Sequence, residues 1–344
     1  MKRAVGFSVL LILGILTAYV IGFQKNFGEE LPYDDEFTGL KERIVIKFSH
    51  VVAENSPKGL AAARFAQLVK EKSHDRIEIQ VFPNGMRYSE SNEVAALQRG
   101  EIQMIAPSFS NLNAIDPAWL VMDLPFAFEN QAGVDQALNG QLGKRLSQTL
   151  EPHGMKGVAF WSNGFRQITN NTHPISQPAD FVGLKFRIQP SKVLERQFEA
   201  LGASTISTPF NEIYHNLETG TADGQENTIS NILTKRFYQV QRYMTISNHS
   251  YLGYAVVFNK SYWDSLPSDA KLVLQEALEE TTRWNKRETD ENANRLSQLQ
   301  QAGDITITRL SEDERMLWRK RLRALYPEFI PVIGSDLMNM IQGP

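Results

Sequence analysis

The stretch Gly183-Leu184-Lys185-Phe186-Arg187-Ile188-Gln189-Pro190-Ser191 decides how this chain is read. It predicts a strand, Leu184 to Ile188, running directly into a helix that starts at Ser191 and ends at Leu201 with Gly202 as its cap. An arginine at such a strand end can aim a planar fork of donors into a cleft. That fork matches a carboxylate with two parallel hydrogen bonds. The competing reading of Arg187 is a surface arginine paired with a nearby acid. A second run, Ala222-Asp223-Gly224-Gln225-Glu226-Asn227-Thr228, follows one helix-turn-helix later and reads as an acidic-amide loop around a turn glycine.

Outward from this unit the pattern repeats in kind. Towards the N-terminus, Arg43 to Phe48, Arg76 to Phe82 and Ile102 to Ala106 read as strands. A helix opened by Ser56-Pro57 and a shorter one from Glu90 to Arg99 lie between them. Past Arg187, Ser204-Thr205-Ile206 is a strand and Phe210 to Glu218 a helix. Strands alternating with helices predict an α/β fold on a mostly parallel sheet. The pattern restarts after Gly164, which predicts two units with no detectable repeat between them. Gly253 to Asn259 reads as a dense apolar strand returning to the first sheet. From Ser268 to Ala302 there is no glycine or proline, so one helix of about 50 Å is expected. Ser311-Glu312-Asp313-Glu314 has the form of a capping box.

The chain has 344 residues, 36 basic and 39 acidic, for a formal charge of −3. That balance argues against non-specific nucleic-acid binding, which needs a net positive field. An anionic ligand would need a local positive site. The chain has no cysteine, so disulfides, thiolate nucleophiles, thiolate metal sites and a lipid-modified N-terminal cysteine are excluded. Met1-Lys2-Arg3 precedes an uncharged run from Ala4 to Phe23, as in a signal peptide. The run is long enough to span a bilayer and is closed by no clear small-x-small site, so an uncleaved anchor is the competing expectation. Either way the folded part is exported, to the periplasm. Residues 24–42, rich in acids, read as a linker. No HExxH, GxSxG, phosphate loop or dinucleotide fingerprint is present, and no histidines pair at helical spacing. No metal, cofactor or catalytic residue is therefore expected.

Several separated runs fall in the order seen in one family: Lys47-Phe48-Ser49-His50-Val51-Val52-Ala53-Glu54-Asn55-Ser56-Pro57-Lys58-Gly59, Ala106-Pro107-Ser108, Asp123-Leu124-Pro125-Phe126, Trp161-Ser162-Asn163-Gly164, Phe186 to Val193, and Gly224 to Asn231. Over about residues 43 to 340 the chain resembles the solute-binding proteins of TRAP transporters, in the branch that binds C4-dicarboxylates. The resemblance implies a two-domain, periplasmic-binding-protein-like (Venus flytrap) α/β fold with a long helix spanning both domains. It implies a monomer that hands an organic acid such as malate, succinate or fumarate to TRAP permease membrane subunits. The expected domains are residues 43–163 with 252–292, and 164–251 with 293–344.

Six residues are candidate ligand contacts. Arg187 is the anchor. Arg166 sits at the junction between the units, where interdomain ligand sites are common; relatives often carry lysine there. Asn227 offers one acceptor and two donors. Lys58 stands in the first turn of its helix, beside free backbone amides. Ser108 and His50 each follow a strand at its carboxyl end, where open α/β sheets bind ligands. The structural alternatives are a hinge-surface role for Arg166, loop capping for Asn227, a solvated Lys58 and a structural His50. A second functional reading is a secreted hydrolase or lyase acting on acidic sugars, with the same arginines recognising substrate; a third is a sensor feeding a signalling partner.

Overall fold

The structure is a computed structural model that describes residues 43–302 and 305–341. The expected leader (1–23) and linker (24–42) lie outside the described residues. Ten strands occur among those described: β1 (Ile44–Ser49), β2 (Ile77–Phe82), β3 (Met104–Ile105), β4 (Met155–Asn170), β5 (Lys185–Ile188), β6 (Ser204–Ser207), β7 (Gly224–Thr228), β8 (Tyr243–Ile246), β9 (Tyr251–Asn259) and β10 (Thr306–Arg309). Their order is β2-β1-β3-β9-β4-β7-β5-β6, with β8 joining β4 to β10.

The sheet is mixed, not mostly parallel. β1–β3, β5–β6, β5–β7 and β8–β10 are parallel, but β4 runs antiparallel to β9, β7 and β8. β9 is antiparallel to β3 as well, and β4 is a 16-residue strand that lies in both halves of the sheet. From Met155 to Phe165 it pairs with β9; from Arg166 to Asn170 it pairs with β7, and over Ile168–Asn170 also with β8. The register slips between Ser162 and Gly164, and Gly164 has φ +100°, a conformation that favours glycine. Every residue of β9 is buried, which is why it reads as a continuous apolar run rather than an alternating one. The result is a two-domain α/β architecture in which β2, β1, β3 and β9 flank one end of β4 and β7, β5, β6, β8 and β10 surround the other.

Helix Pro57–Lys72 begins where expected. The Ser56 hydroxyl accepts from the Gly59 amide, and Pro57 fills the first helical position. The expected single helix from Ser268 to Ala302 is instead two, Ser268–Asp290 and Asn292–Ala302, with a turn at Glu291. Arg295 donates from Nη1 to the Glu288 carbonyl at 2.6 Å, a carbonyl that an unbroken helix would give to residue 292. The first segment packs on helix Pro57–Lys72 and on β4; the second packs on helix Ile229–Thr234. The capping box at Ser311/Glu314 is formed and opens helix Glu312–Arg323. Helices Tyr326–Ile333 and Ser335–Ile341 then return to the segment Pro117–Asp123, and the Tyr326 hydroxyl donates to the Pro125 carbonyl at 2.9 Å.

Candidate functional site

β5 ends at Ile188, and its Arg187 side chain is buried between the two halves of the sheet. Nε and Nη2 both donate to the Thr208 carbonyl (Nε at 2.9 Å), and Nη2 lies 3.5 Å from a Glu90 carboxylate oxygen. The edge left to chelate a ligand is therefore Nη1/Nη2. Burial lowers the Arg187 pKa to about 10, against the opposing pull of Glu90 and Glu226, so it remains a cation at neutral pH.

Arg166 stands on β4 immediately after the register slip. Nη1 donates to Glu226 at 2.7 Å; Nη2 donates to Gln189 at 2.8 Å and to Ser110 at 3.0 Å. Its Nε is buried with no hydrogen-bond partner. Glu226 is set on β7, diagonally across from Arg166 in an antiparallel pair, which brings the two side chains onto one face. The other Glu226 oxygen lies 3.1 Å from His249 Nε2, and His249 Nδ1 lies 2.7 Å from the Ser247 hydroxyl. Burial alone would raise the Glu226 carboxyl, but Arg166, His249 and Arg187 outweigh it and hold it below the usual range.

Gln189, one residue past β5, ties the halves together. Its amide donates to Glu90 and to Ser108, each at 2.8 Å, while its carbonyl accepts from Arg166. Glu90 also accepts from Asn111 at 2.8 Å and from the Phe210 amide at 2.7 Å. Asn227 is buried on β7, with its side-chain oxygen accepting from Asn231 at 2.7 Å and from the Thr228 amide at 3.1 Å. Lys58 is fully buried rather than solvated. Its ammonium donates to the Ala106 carbonyl at 2.8 Å and lies 3.8 Å from the Tyr254 ring centroid. His50 is also fully buried, and neither ring nitrogen has a hydrogen-bond partner. Burial, then Lys58, lower its pKa to about 3, so it is a neutral imidazole.

All six residues singled out in the sequence are buried. Arg187, Arg166 and Ser108 meet through Gln189 and Glu90. Lys58 meets the ring of Tyr254, which bridges to Ser108 across the sheet and interacts with Asn231, the partner of Asn227. His50 joins through the field of Lys58 rather than by a hydrogen bond. The sequence reading missed Glu226, Gln189, Glu90, Ser110 and His249. Gln189 and Glu226 lay inside the quoted runs, yet nothing in their spacing says that they face Arg166. The expected loop around Asn227 is a buried strand.

A fully enclosed polar cluster between two α/β halves, with two arginines and a lysine, defines a solute-binding protein of the hinged-cleft type. The sequence profile of the family described as bacterial extracellular solute-binding protein, family 7 (DctP), matches residues 48–331, and the chain belongs to that family. It is 46% identical over 341 residues to the C4-dicarboxylate-binding protein DctB of Bacillus subtilis, covering 98% of this chain and 97% of that one. A TRAP periplasmic solute-binding protein from Sulfurospirillum deleyianum, solved with bound succinate, superposes with a TM-score of 0.85 at 36% identity, over 88% of this chain and 99% of the other. The sugar-acid-binding protein DctPAm of Advenella mimigardefordensis, solved with galactonate, gives 0.85 at 32% identity, over 87% and 97%. The chain is accordingly an extracytoplasmic receptor. No helix among the described residues is long and apolar enough to cross a membrane.

Proposed function

We propose that the chain is the receptor of a TRAP transporter, capturing a C4-dicarboxylate such as malate, succinate or fumarate between its domains and delivering it to the membrane permease subunits. One observation carries the reading: in a protein of net negative charge, Arg187, Arg166 and Lys58 are all buried at one place between the two halves of the sheet. Buried cations attract anions, and two of these keep a donor that no protein acceptor takes. Arg187 keeps its Nη1 edge, and Arg166 keeps an unpartnered Nε. Arg187 holds one carboxylate; Lys58, with Ser108 and neutral His50, receives the other; Asn227 orients the carbon chain. Arg166 acts from behind, braced by Glu226. The domains are residues 43–163 with 252–292 and 164–251 with 293–344, hinged near Gly164, the last two helices reaching back onto the first. The relatives named above are binding proteins, which favours capture over hydrolysis or elimination, and the cluster is read as having no catalytic role.

A thermal-shift screen tests the substrate class. A ligand at about 100 times its dissociation constant stabilises by about 2.7 kcal/mol, enough to move the melting temperature by about 4 °C. Succinate, malate or fumarate should give that shift and galactonate a smaller one. A larger shift with galactonate makes the protein a sugar-acid receptor instead.

A further inference from the structure

Glu93 takes no part in the site as described so far. It opens the short helix Glu93–Gln98, is fully buried, and neither carboxyl oxygen has a hydrogen-bond partner. A carboxylate so placed has lost water and gained no donor. Lys58 is the cation that acts on it, yet its ammonium is directed to the Ala106 carbonyl and the Tyr254 ring. Among the described residues no ion pair within 4 Å joins it to Glu93. We propose that Glu93 is a positioning residue for ligand capture: a buried carboxyl that takes no hydrogen bond from Lys58, it leaves the ammonium to the bound carboxylate.

The inference rests on the dicarboxylate reading of the cleft. The ionisable groups acting on Glu93 are Lys58, from helix Pro57–Lys72, and Glu90, on the loop before its own helix. Of the strands packed on helix Glu93–Gln98, β3 carries no ionisable side chain, and β9 brings Tyr251 and Tyr254. Lys58 also acts on His50, as does Lys235, and His50 is neutral. Burial raises Glu93 to about 8, with Lys58 opposing and Glu90 adding to it; burial lowers Lys58 to about 8. Below that pH the pair is therefore an ammonium beside a neutral acid. An ionised Glu93 would neutralise the ammonium and place a negative charge behind the incoming dianion. A bound dianion favours the protonated form of both groups, so binding takes up protons near pH 8 and weakens as pH rises.

Calorimetric titration of succinate at pH 6.5, 8 and 9, in two buffers of different ionisation enthalpy, tests this on the wild type and on Glu93→Gln. The wild type should take up protons at pH 8 and lose about tenfold in affinity by pH 9 for each of the two groups, since one pKa unit corresponds to about tenfold. Glu93→Gln should take up about half as many protons and lose less. Equal proton counts and equal pH profiles in the two proteins would overturn the proposal. So would affinity in Glu93→Gln more than tenfold weaker at pH 6.5, because that would make the charged carboxylate a requirement. Melting without ligand gives a second readout. A carboxyl raised from 4.5 to about 8 on folding contributes stability that is full below 4.5 and is lost as pH climbs through 8. The wild type should lose stability relative to Glu93→Gln between pH 5 and 8, and a constant difference would also overturn it. If Glu93→Gln does not fold, Glu93→Met replaces it in both measurements. If the wild type binds no dicarboxylate at any pH, the reading of the cleft fails, while the melting comparison still decides the state of Glu93.

Discussion

Arg187 and Arg166 are both buried cations, yet their surroundings assign them different work. Arg187 is held by a backbone carbonyl, and its acid, Glu90, keeps three other hydrogen bonds: from Gln189, Asn111 and the Phe210 amide. Removing Arg187 therefore strands little. Arg187→Ala should leave a cooperative melting transition and weaken dicarboxylate binding by about 2–5 kcal/mol, the usual cost of truncating a buried charged contact. Calorimetry on the folded variant checks this, and wild-type affinity would remove Arg187 from the site. Arg166 is committed to Glu226, so Arg166→Gln leaves a buried carboxylate facing a neutral amide. That should cost about 3–5 kcal/mol of stability in urea denaturation. Adding Glu226→Gln should return part of it, because only Asp123, 3.9 Å from Arg166, is then left without its cation. An arginine before a helix start was legible in the sequence because the local signals, a strand, a proline and a cap, lie within nine residues. Its acidic partners were not, since Gln189 and Glu90 meet across 99 residues and no local pattern encodes that contact.

At the scale of elements, the sequence was clear where apolar periodicity and caps agree, as at helices Pro57–Lys72 and Lys192–Leu201. It was opaque at β7, whose five residues, Gly-Gln-Glu-Asn-Thr, carry no apolar side chain and are all buried. A polar strand survives there because its neighbours pair most of its polar groups: Arg166 for Glu226, Asn231 for Asn227, Thr169 for the Gln225 amide. β4 was hidden because it is half-buried from Lys156 to Phe160 and buried over most of the rest, with glycines at positions 157 and 164 and polar residues along its length, and so lacks the alternation of a half-exposed strand. The break at Glu291 was invisible because no glycine or proline marks it; a side chain, Arg295, takes the carbonyl instead. β7 also sets a steric demand. A Cβ on Gly224 would lie 2.3 Å from the Thr169 carbonyl oxygen and 2.6 Å from the Phe186 ring. Gly224→Ala should force the central strands apart and destabilise by about 1–3 kcal/mol in urea denaturation. No loss would mean that β4 and β7 tolerate a wider separation.

Across the whole molecule, the cluster is assembled from both halves of the sheet, and only a closed arrangement brings Ser108, Ser110 and Glu90 against Gln189, Arg166 and Arg187. β4 and the helix pair running from Ser268 to Ala302 are the elements that span both halves, so any hinge works through them. The Ser162 amide donates to Asn285 at 2.6 Å, and Thr289 donates to the Ser162 carbonyl at 3.3 Å, which locks the long helix to the point where the register slips. A ligand that bridges the halves stabilises closure because only the closed form offers both sets of contacts. The absence of native cysteine allows clean spin labelling through Met86→Cys and Val182→Cys, exposed positions on opposite halves. The distance between the labels, measured with and without saturating succinate, tests capture by domain closure most directly. The account predicts a shift to a single, shorter distance with succinate. An unchanged distribution, in a protein that calorimetry shows to have succinate bound, would contradict it.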